Sequence, residues 1–230
     1  MNVVITGGSR GIGAEAVRRF ASLGHQVTFI YEKQHEAANA VAAETGATAI
    51  CCDVADAARM AEIFAGLPDI DLLITCAGIA GAGLLQDTTE EYWNRVFAVN
   101  VNGTFHAIKG VLPGMIRNQK GCIITISSIW GQCGGAMEVP YSATKGAIIA
   151  MTKGLAQEVG PSHIRVNCIA PGAIQTDMIR GYEDTLESFR LETPLEMLGQ
   201  PAHIADAMVY LADAEFVTGQ VLGVNGGYYI

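Results

Sequence analysis

Seven short runs of β-branched and other apolar residues recur along the chain, at Val3–Thr6, Gln26–Tyr31, Thr48–Cys51, Leu72–Thr75, Cys122–Ser127, Arg165–Ile169 and Gln220–Val224. Between them lie longer segments in which apolar positions return every three or four residues. The first pattern is that of strands and the second that of helices. Their alternation predicts βαβ units with right-handed crossovers. The expected class is therefore α/β, a seven-stranded parallel sheet with helices on both faces. No internal repeat, low-complexity tract or polar linker breaks the pattern, so residues 1–230 are expected to form a single domain.

Composition agrees with a sheet buried on both sides: half the residues are hydrophobic, 16% are charged and 27 are glycine. The formal charge of −9 argues against a nucleic-acid partner, which needs clustered lysine and arginine, and gives no affinity for an anionic membrane. Met1-Asn2 leads directly into the first strand without the features of a signal peptide, and no apolar run reaches the length of a membrane span. A cytoplasmic location is expected. The six cysteines show no paired metal-ligand spacing, so no metal is expected and they read as reduced, mostly core residues.

The first crossover carries a specific signal. Strand Val3–Thr6 runs into Thr6-Gly7-Gly8-Ser9-Arg10-Gly11-Ile12-Gly13, after which residues 14–23 have helical period and end at Gly24, a natural C-terminal cap. Glycines here allow a tight turn and close approach to a pyrophosphate resting on the unpaired amides of the helix N-terminus. This turn lies between a strand and a helix, the context the motif needs, so Gly7, Ser9, Arg10, Gly11, Ile12 and Gly13 are nucleotide-binding candidates.

The second strand ends in Ile30-Tyr31-Glu32-Lys33. An acidic side chain at this point accepts from a free ribose but repels a 2′-phosphate. Arg10 and Lys33 are suited to clamp a phosphate, while Glu32 suits the ribose diol or solvent, and the two bases tip the expectation to NADP(H) over NAD(H). Asp53, followed by Val54, either accepts from an adenine amino group or caps a helix beginning near Ala55. Cys76, Ala77 and Gly78 close the fourth strand with small residues that leave room for a cofactor. Pro171, Gly172, Ile174 and Thr176 follow the sixth strand and are placed to close over a nicotinamide. All these loops lie at carboxyl ends of strands, where parallel sheets bind ligands.

The candidate chemistry lies in Ser127-Ser128 and Pro140-Tyr141-Ser142-Ala143-Thr144-Lys145. On a helix, Tyr141 and Lys145 share a face one turn apart. A phenol ordinarily titrates at about 10, so it serves as a proton donor only where a nearby cation stabilises its anion. Lys145 can supply that cation, and Ser128 can hydrogen-bond the same carbonyl oxygen as charge grows on it. The spacing by itself equally suits an ordinary helix with a buried tyrosine and a snorkelling lysine. Asn100 sits within a helical pattern that disfavours asparagine, which predicts a local kink or a bound water.

Together these residues resemble the short-chain dehydrogenase/reductase family over essentially the whole chain. The resemblance rests on Thr6 to Gly13, Asp53-Val54, Ala77-Gly78, Asn100, Ser128, Tyr141 with Lys145, Pro171-Gly172 with Thr176, and the ending Val224-Asn225-Gly226-Gly227. It implies a Rossmann fold and hydride transfer between a nicotinamide and a carbonyl or alcohol. It also implies that Tyr141 is the acid-base, that Lys145 lowers its pKa and holds the nicotinamide ribose, that Ser128 orients the carbonyl, and that Asn100 anchors a relay water. A homotetramer is implied as well, one interface formed by the Asn100 and Tyr141 helices and another by the C-terminal segment. The family's usual Asn-Asn-Ala-Gly reads Thr75-Cys76-Ala77-Gly78 here, which removes side-chain amides that brace the strand.

Within the family the chain is similar to 3-oxoacyl-acyl-carrier-protein reductases through Ala170-Pro171-Gly172, Thr176-Asp177-Met178 and Thr218-Gly219-Gln220. Arg117, Lys120 and Arg180 are then the bases available to an acidic carrier. Ser127 to Gly131 and Glu138 to Ser142 also resemble reductases that act on an aminopentanone modification of elongation factor P. That resemblance makes Glu138 and the acidic lid residues Glu183, Asp184, Glu187, Glu192 and Glu196 partners for an ammonium, or alternatively a solvated face. Residues 177–198 read as a mobile substrate lid. Met137, Met178 and Met197 read as pocket lining or plain core filler.

Overall fold

The structure is a computed structural model that describes residues 1–177 and 183–230, excepting the side chains of residues 183–185. Met178 and Arg180 thus lie outside the described residues, as do the side chains of Glu183 and Asp184. The strands are β1 (Asn2–Thr6), β2 (Gln26–Tyr31), β3 (Thr48–Cys51), β4 (Leu72–Thr75), β5 (Gly121–Ile126), β6 (Ile164–Pro171) and β7 (Val221–Val224). The helices are α1 (Gly11–Ser22), α2 (His35–Thr45), α3 (Ala57–Gly66), α4 (Glu90–Phe97), α5 (Gly103–Asn118), α6 (Ile129–Cys133), α7 (Val139–Val159), α8 (Glu183–Glu192) and α9 (Pro201–Asp213). All strand pairs are parallel, in the order β3-β2-β1-β4-β5-β6-β7.

The expected α/β architecture is present, with boundaries moved by a residue or so. β5 ends at Ile126, one residue earlier than expected, although the Ser127 amide still donates to the Ile169 carbonyl of β6. β6 runs two residues beyond the expected Ile169, to Pro171, because β7 pairs with it along Cys168–Pro171. Order reverses between β1 and β4, so the crossovers on either side leave in opposite directions and open a crevice at the strands' carboxyl ends.

The two sheet faces are buried separately. Phe20 of α1, Phe29 and Ile124 pack with Met208 and Leu211 of α9 on one face. Met60 and Phe64 of α3, Met115 of α5 and Ile123 fill the other. Cys52, Cys122 and Cys168 are buried, whereas Cys51 and Cys133 are exposed. Cys51 departs from the expected core placement because β3 is an edge strand. Among the described residues no helix is long and apolar enough to cross a membrane, and no His, Cys, Asp or Glu cluster could hold a metal.

Helix ends follow local chemistry. Gly24, in the left-handed region, ends α1, and its amide donates to the Ala21 carbonyl. The cap of α3 is Asp56, whose carboxylate accepts from the Arg59 amide at 3.0 Å, so of the two roles open to Asp53 the capping one does not hold. Asp53 instead closes the preceding turn by accepting from the Ala55 amide at 2.9 Å.

The glycine loop depends on backbone meeting backbone. Gly7 has φ +73°, and both Gly7 and Gly8 donate to the Ile30 carbonyl. A β-carbon at Gly13 would run into the Gly7 carbonyl oxygen, which cannot swing aside as a side chain could. Gly13→Ala is therefore expected to lower stability by about 1–3 kcal/mol, read as a fall in the denaturant midpoint at unchanged slope.

Candidate active site

The amino end of α1 forms the cradle the sequence anticipated. Arg10 precedes it in extended conformation, no side chain caps it, and the first backbone bond of the helix runs from Ala14 to the Arg10 carbonyl. The first-turn amides therefore point outward at the carboxyl edge of the sheet, where a pyrophosphate fits. Thr176 closes over this end, since a β-carbon at Gly11 would stand 3.3 Å from its Cγ2. Gly78 leaves a second hollow, where a β-carbon would lie 3.3 Å from Asn100 Oδ1 and 3.6 Å from Lys145 Nζ. The residues present thus suit a dinucleotide laid from α1 across the switch point to Lys145.

The loss of the family's asparagine pair is offset by Thr6. Its carbonyl accepts from the Cys76 amide at 3.1 Å and its hydroxyl from the Ala77 amide at 3.2 Å. Burial pushes the Cys76 thiol up to about 12, so it stays uncharged. Thr75 Oγ1 is buried without a partner.

The adenosine end differs from the phosphate clamp expected of Arg10 and Lys33. Lys33 Nζ lies 3.1 Å from Glu32 Oε1, so these neighbours pair with each other. Arg95 of α4 also reaches in, with Nη1 donating to Asp53 Oδ2 at 2.7 Å and Nη2 to Glu32 Oε1 at 3.3 Å. Burial raises the Asp53 carboxyl, but hydrogen bonds from Arg95 and the Ala55 amide, with Arg95's charge, hold it below its ordinary value. Arg95 gave no local signal in the sequence because its partners lie 42 and 63 residues away. Tyr31 faces α2 instead, its hydroxyl 3.2 Å from His35 Nδ1.

The predicted kink at Asn100 is real: residues Ala98–Asn102 form a π turn between α4 and α5. This turn aims the Asn100 amide at the loop after β4, where Oδ1 accepts from the Ile79 amide at 2.8 Å and Nδ2 donates to the Ile79 carbonyl at 3.0 Å. Nδ2 also donates to Thr144 Oγ1 at 3.0 Å, and Thr144 in turn donates to the Tyr141 carbonyl.

Ser128, Tyr141 and Lys145 converge beside Gly78. Ser128 Oγ accepts from the Trp130 amide at 3.2 Å and lies near enough to the Tyr141 phenol to lower its pKa. Lys145 Nζ stands 5.5 Å from the centre of the Tyr141 ring and donates to the Ile126 carbonyl at 2.8 Å. The expected depression of the phenol's pKa by Lys145 is thus not what this geometry gives. Burial pushes Tyr141 well above the ordinary value, Ser128 lowers it, and the Glu138 carboxylate raises it further. Lys145 itself is only 5% exposed, and burial brings it from 10.5 down to about 8.

Glu138, just before α7, is half-buried, and burial raises its carboxyl. The residue before it, Met137, has φ +62° and its carbonyl accepts from the Gly83 amide at 2.7 Å. Met137 is exposed, while Met197 lines a cavity of about 290 Å³ with Ile174, Leu195 and His203. Arg117 and Lys120, expected near a carrier-docking edge, sit before β5 at the amino edge of the sheet and pair with Asp69 and Asp71. The length of the strands therefore separates them from the site.

A family model described as enoyl-(acyl carrier protein) reductase matches residues 7–229. A 3-oxoacyl-[acyl-carrier-protein] reductase of Staphylococcus aureus is 36% identical over 241 residues, covering 100% of this chain and 98% of the relative. The chain belongs to the short-chain dehydrogenase/reductase family. A 3-oxoacyl-[acyl-carrier protein] reductase of Brucella melitensis with bound NAD superposes with a TM-score of 0.90 at 34% identity, covering 100% of this chain and 91% of that one. ElxO with NADP bound gives 0.91 at 31%, covering 99% and 98%. As a member of this family the chain is a Rossmann-fold oxidoreductase that takes a nicotinamide cofactor.

The Lys145 environment of this reductase has a sign that can be tested. Its folded pKa lies below its unfolded one, so between about 8 and 10.5 the unfolded chain holds more protons. Stability from this group rises with pH across that window, and the full cost of burying the ammonium is felt below it. Lys145→Met removes the contribution, so the stability of wild type relative to the variant is expected to climb from pH 8 to 10.5 in chemical denaturation. A difference that stays flat would show an ammonium still solvated.

Proposed function

We propose that this chain is an NADP(H)-dependent carbonyl reductase that converts a 3-oxoacyl thioester to its 3-hydroxy product. The observation that carries the reading is the convergence of Ser128, Tyr141 and Lys145 beside the hollow at Gly78. The 3-oxoacyl reductases of S. aureus and B. melitensis support the substrate class. ElxO with NADP bound and the B. melitensis structure with NAD bound show that both dinucleotides occur among similar folds. NADP(H) is favoured here by Lys33 and Arg95, which both pair with the carboxylate of Glu32 after β2, and by Arg10 in the glycine loop.

When bound, the reduced nicotinamide supplies the hydride. Tyr141 donates its phenolic proton to the carbonyl oxygen, and the raised pKa keeps that proton in place until charge develops there. Ser128 donates a hydrogen bond to the same oxygen. Lys145, at about 8, is still mostly an ammonium at neutral pH and so able to return a proton to the phenolate and to hold the cofactor ribose. Asn100 has both amide atoms engaged, so its part is to fix the Ile79 loop against α7. Exposed Phe105 and Ile116 on α5, and Phe216 and Ile230 near the C-terminus, suit the two interfaces of a homotetramer.

NADPH oxidation followed by absorbance with an acetoacetyl thioester is the deciding assay. Tyr141→Phe is expected to cut turnover by about 10²–10⁴-fold while NADPH binding survives. Equal turnover in both proteins would remove Tyr141 from the chemistry.

Glu138 favours a second substrate reading, a ketone that carries an ammonium. Its half-buried carboxylate has no cationic partner among the described residues and acts electrostatically on Tyr141. On this reading Glu138→Gln raises KM for amino-ketones selectively, by about tenfold. An equal change for neutral ketones and thioesters would leave the thioester reading alone in the field.

A further inference from the structure

Glu32 closes β2 at the rim where the adenosine ribose of a bound dinucleotide rests. An unneutralised carboxylate there would repel a 2′-phosphate. It is not left in that state: Oε1 lies 3.1 Å from Lys33 Nζ and accepts from Arg95 Nη2 at 3.3 Å. The two cations are not equivalent. Lys33 is a neighbour in sequence with a side chain 75% exposed, so its pairing is loose and hydrated. Arg95 is 35% exposed, comes from another layer of the fold, and has its other nitrogen fixed to Asp53 at 2.7 Å. Asp53 is fixed in turn by the Ala55 amide. The planar guanidinium is therefore a rigid bridge between the ends of β2 and β3, a geometry lysine cannot reproduce.

We propose that Arg95 is a specificity residue for the cofactor: by tying down and neutralising Glu32 it lets the rim accept a 2′-phosphate. This rests on the NADP(H) reading above. With Arg95 in place, two cations (Lys33, Arg95) face two carboxylates (Glu32, Asp53). Without it, only the exposed Lys33 remains against both, and Glu32 is released to turn toward the ribose diol. Arg95 acts through Glu32 and need not touch the cofactor.

The test is a double-mutant cycle on the full-length protein, reading the ratio of affinities (1/Kd) for NADPH and NADH by fluorescence titration in the absence of substrate, with the corresponding ratio of kcat/KM beside it. Arg95→Met is expected to lower this ratio by about tenfold at low ionic strength, with a smaller effect in high salt. Glu32→Gln is expected to raise it. In the Glu32→Gln background, Arg95→Met should change it little, because the charge it controls is gone. Should Arg95→Met not fold, Arg95→Gln carries the same comparison. A fall of the same size in both backgrounds would mean direct contact with the phosphate and overturn the inference. Equal losses with NADPH and NADH would overturn it in favour of a purely structural bridge. The wild-type ratio reports separately on the NADP(H) reading, and the coupling between Arg95 and Glu32 is defined whatever that ratio is.

Discussion

One buried amide holds the catalytic end of this protein together. Asn100 is 1% exposed, and its three hydrogen bonds connect the loop after β4, the π turn itself and, through Thr144, the helix that carries Tyr141 and Lys145. A regular helix would not present the side chain this way. The extra residue of the π turn rotates it inward, and the polar burial is tolerated because both amide atoms are satisfied. Thr104, which donates to the Asn100 carbonyl, relieves the backbone disturbed by the same turn. The hollow at Gly78 exists because Ile79 is pinned from below by this amide.

Around that anchor the reacting groups all hold their protons at neutral pH. Tyr141 is kept protonated, Lys145 stays mostly an ammonium although burial brings its pKa down to about 8, and Cys76 and Cys168 both stay as thiols. Such a site favours the state before proton transfer and gains most from a cofactor that brings its own charge. The adenosine end is the reverse, with charged groups locked in pairs. One end recognises and the other reacts, and the parallel sheet places both on a single edge.

Most of the fold was legible in the sequence because alternating strand and helix periods leave few other topologies for a parallel sheet. The glycine loop, the Gly24 cap and the anomaly at Asn100 were legible too, since each depends on residues close in sequence. What was misread depends on distance. Of the two roles the sequence left open for Asp53, the cap is taken by Asp56, and the sequence hides Arg95, which holds the Asp53 carboxylate. Lys145 was given to the Tyr141 oxygen because a four-residue spacing is visible, whereas the competing Ile126 carbonyl comes from another strand. Thr75-Cys76 looked like a lost brace because Thr6, which supplies it, lies some seventy positions earlier.

Helix α8 is tied to the site by aromatic contacts. Trp130, two residues after Ser128, forms a three-ring cluster with Phe189 of α8 and Tyr228 of the C-terminal segment, with ring centres 5.8–5.9 Å apart. Tyr228 also donates to Glu192 at 3.1 Å. Aromatic pairs at these separations add modestly to burial, so the cluster orients α8 without welding it in place. Because Trp130 and the Ser128 cap share one short helix, a shift of α8 is felt where the carbonyl is oriented. On the proposed reading, selectivity for the substrate belongs to the aromatic cluster and Glu138, while selectivity for the nucleotide belongs to Glu32 and Arg95, and the two can change independently.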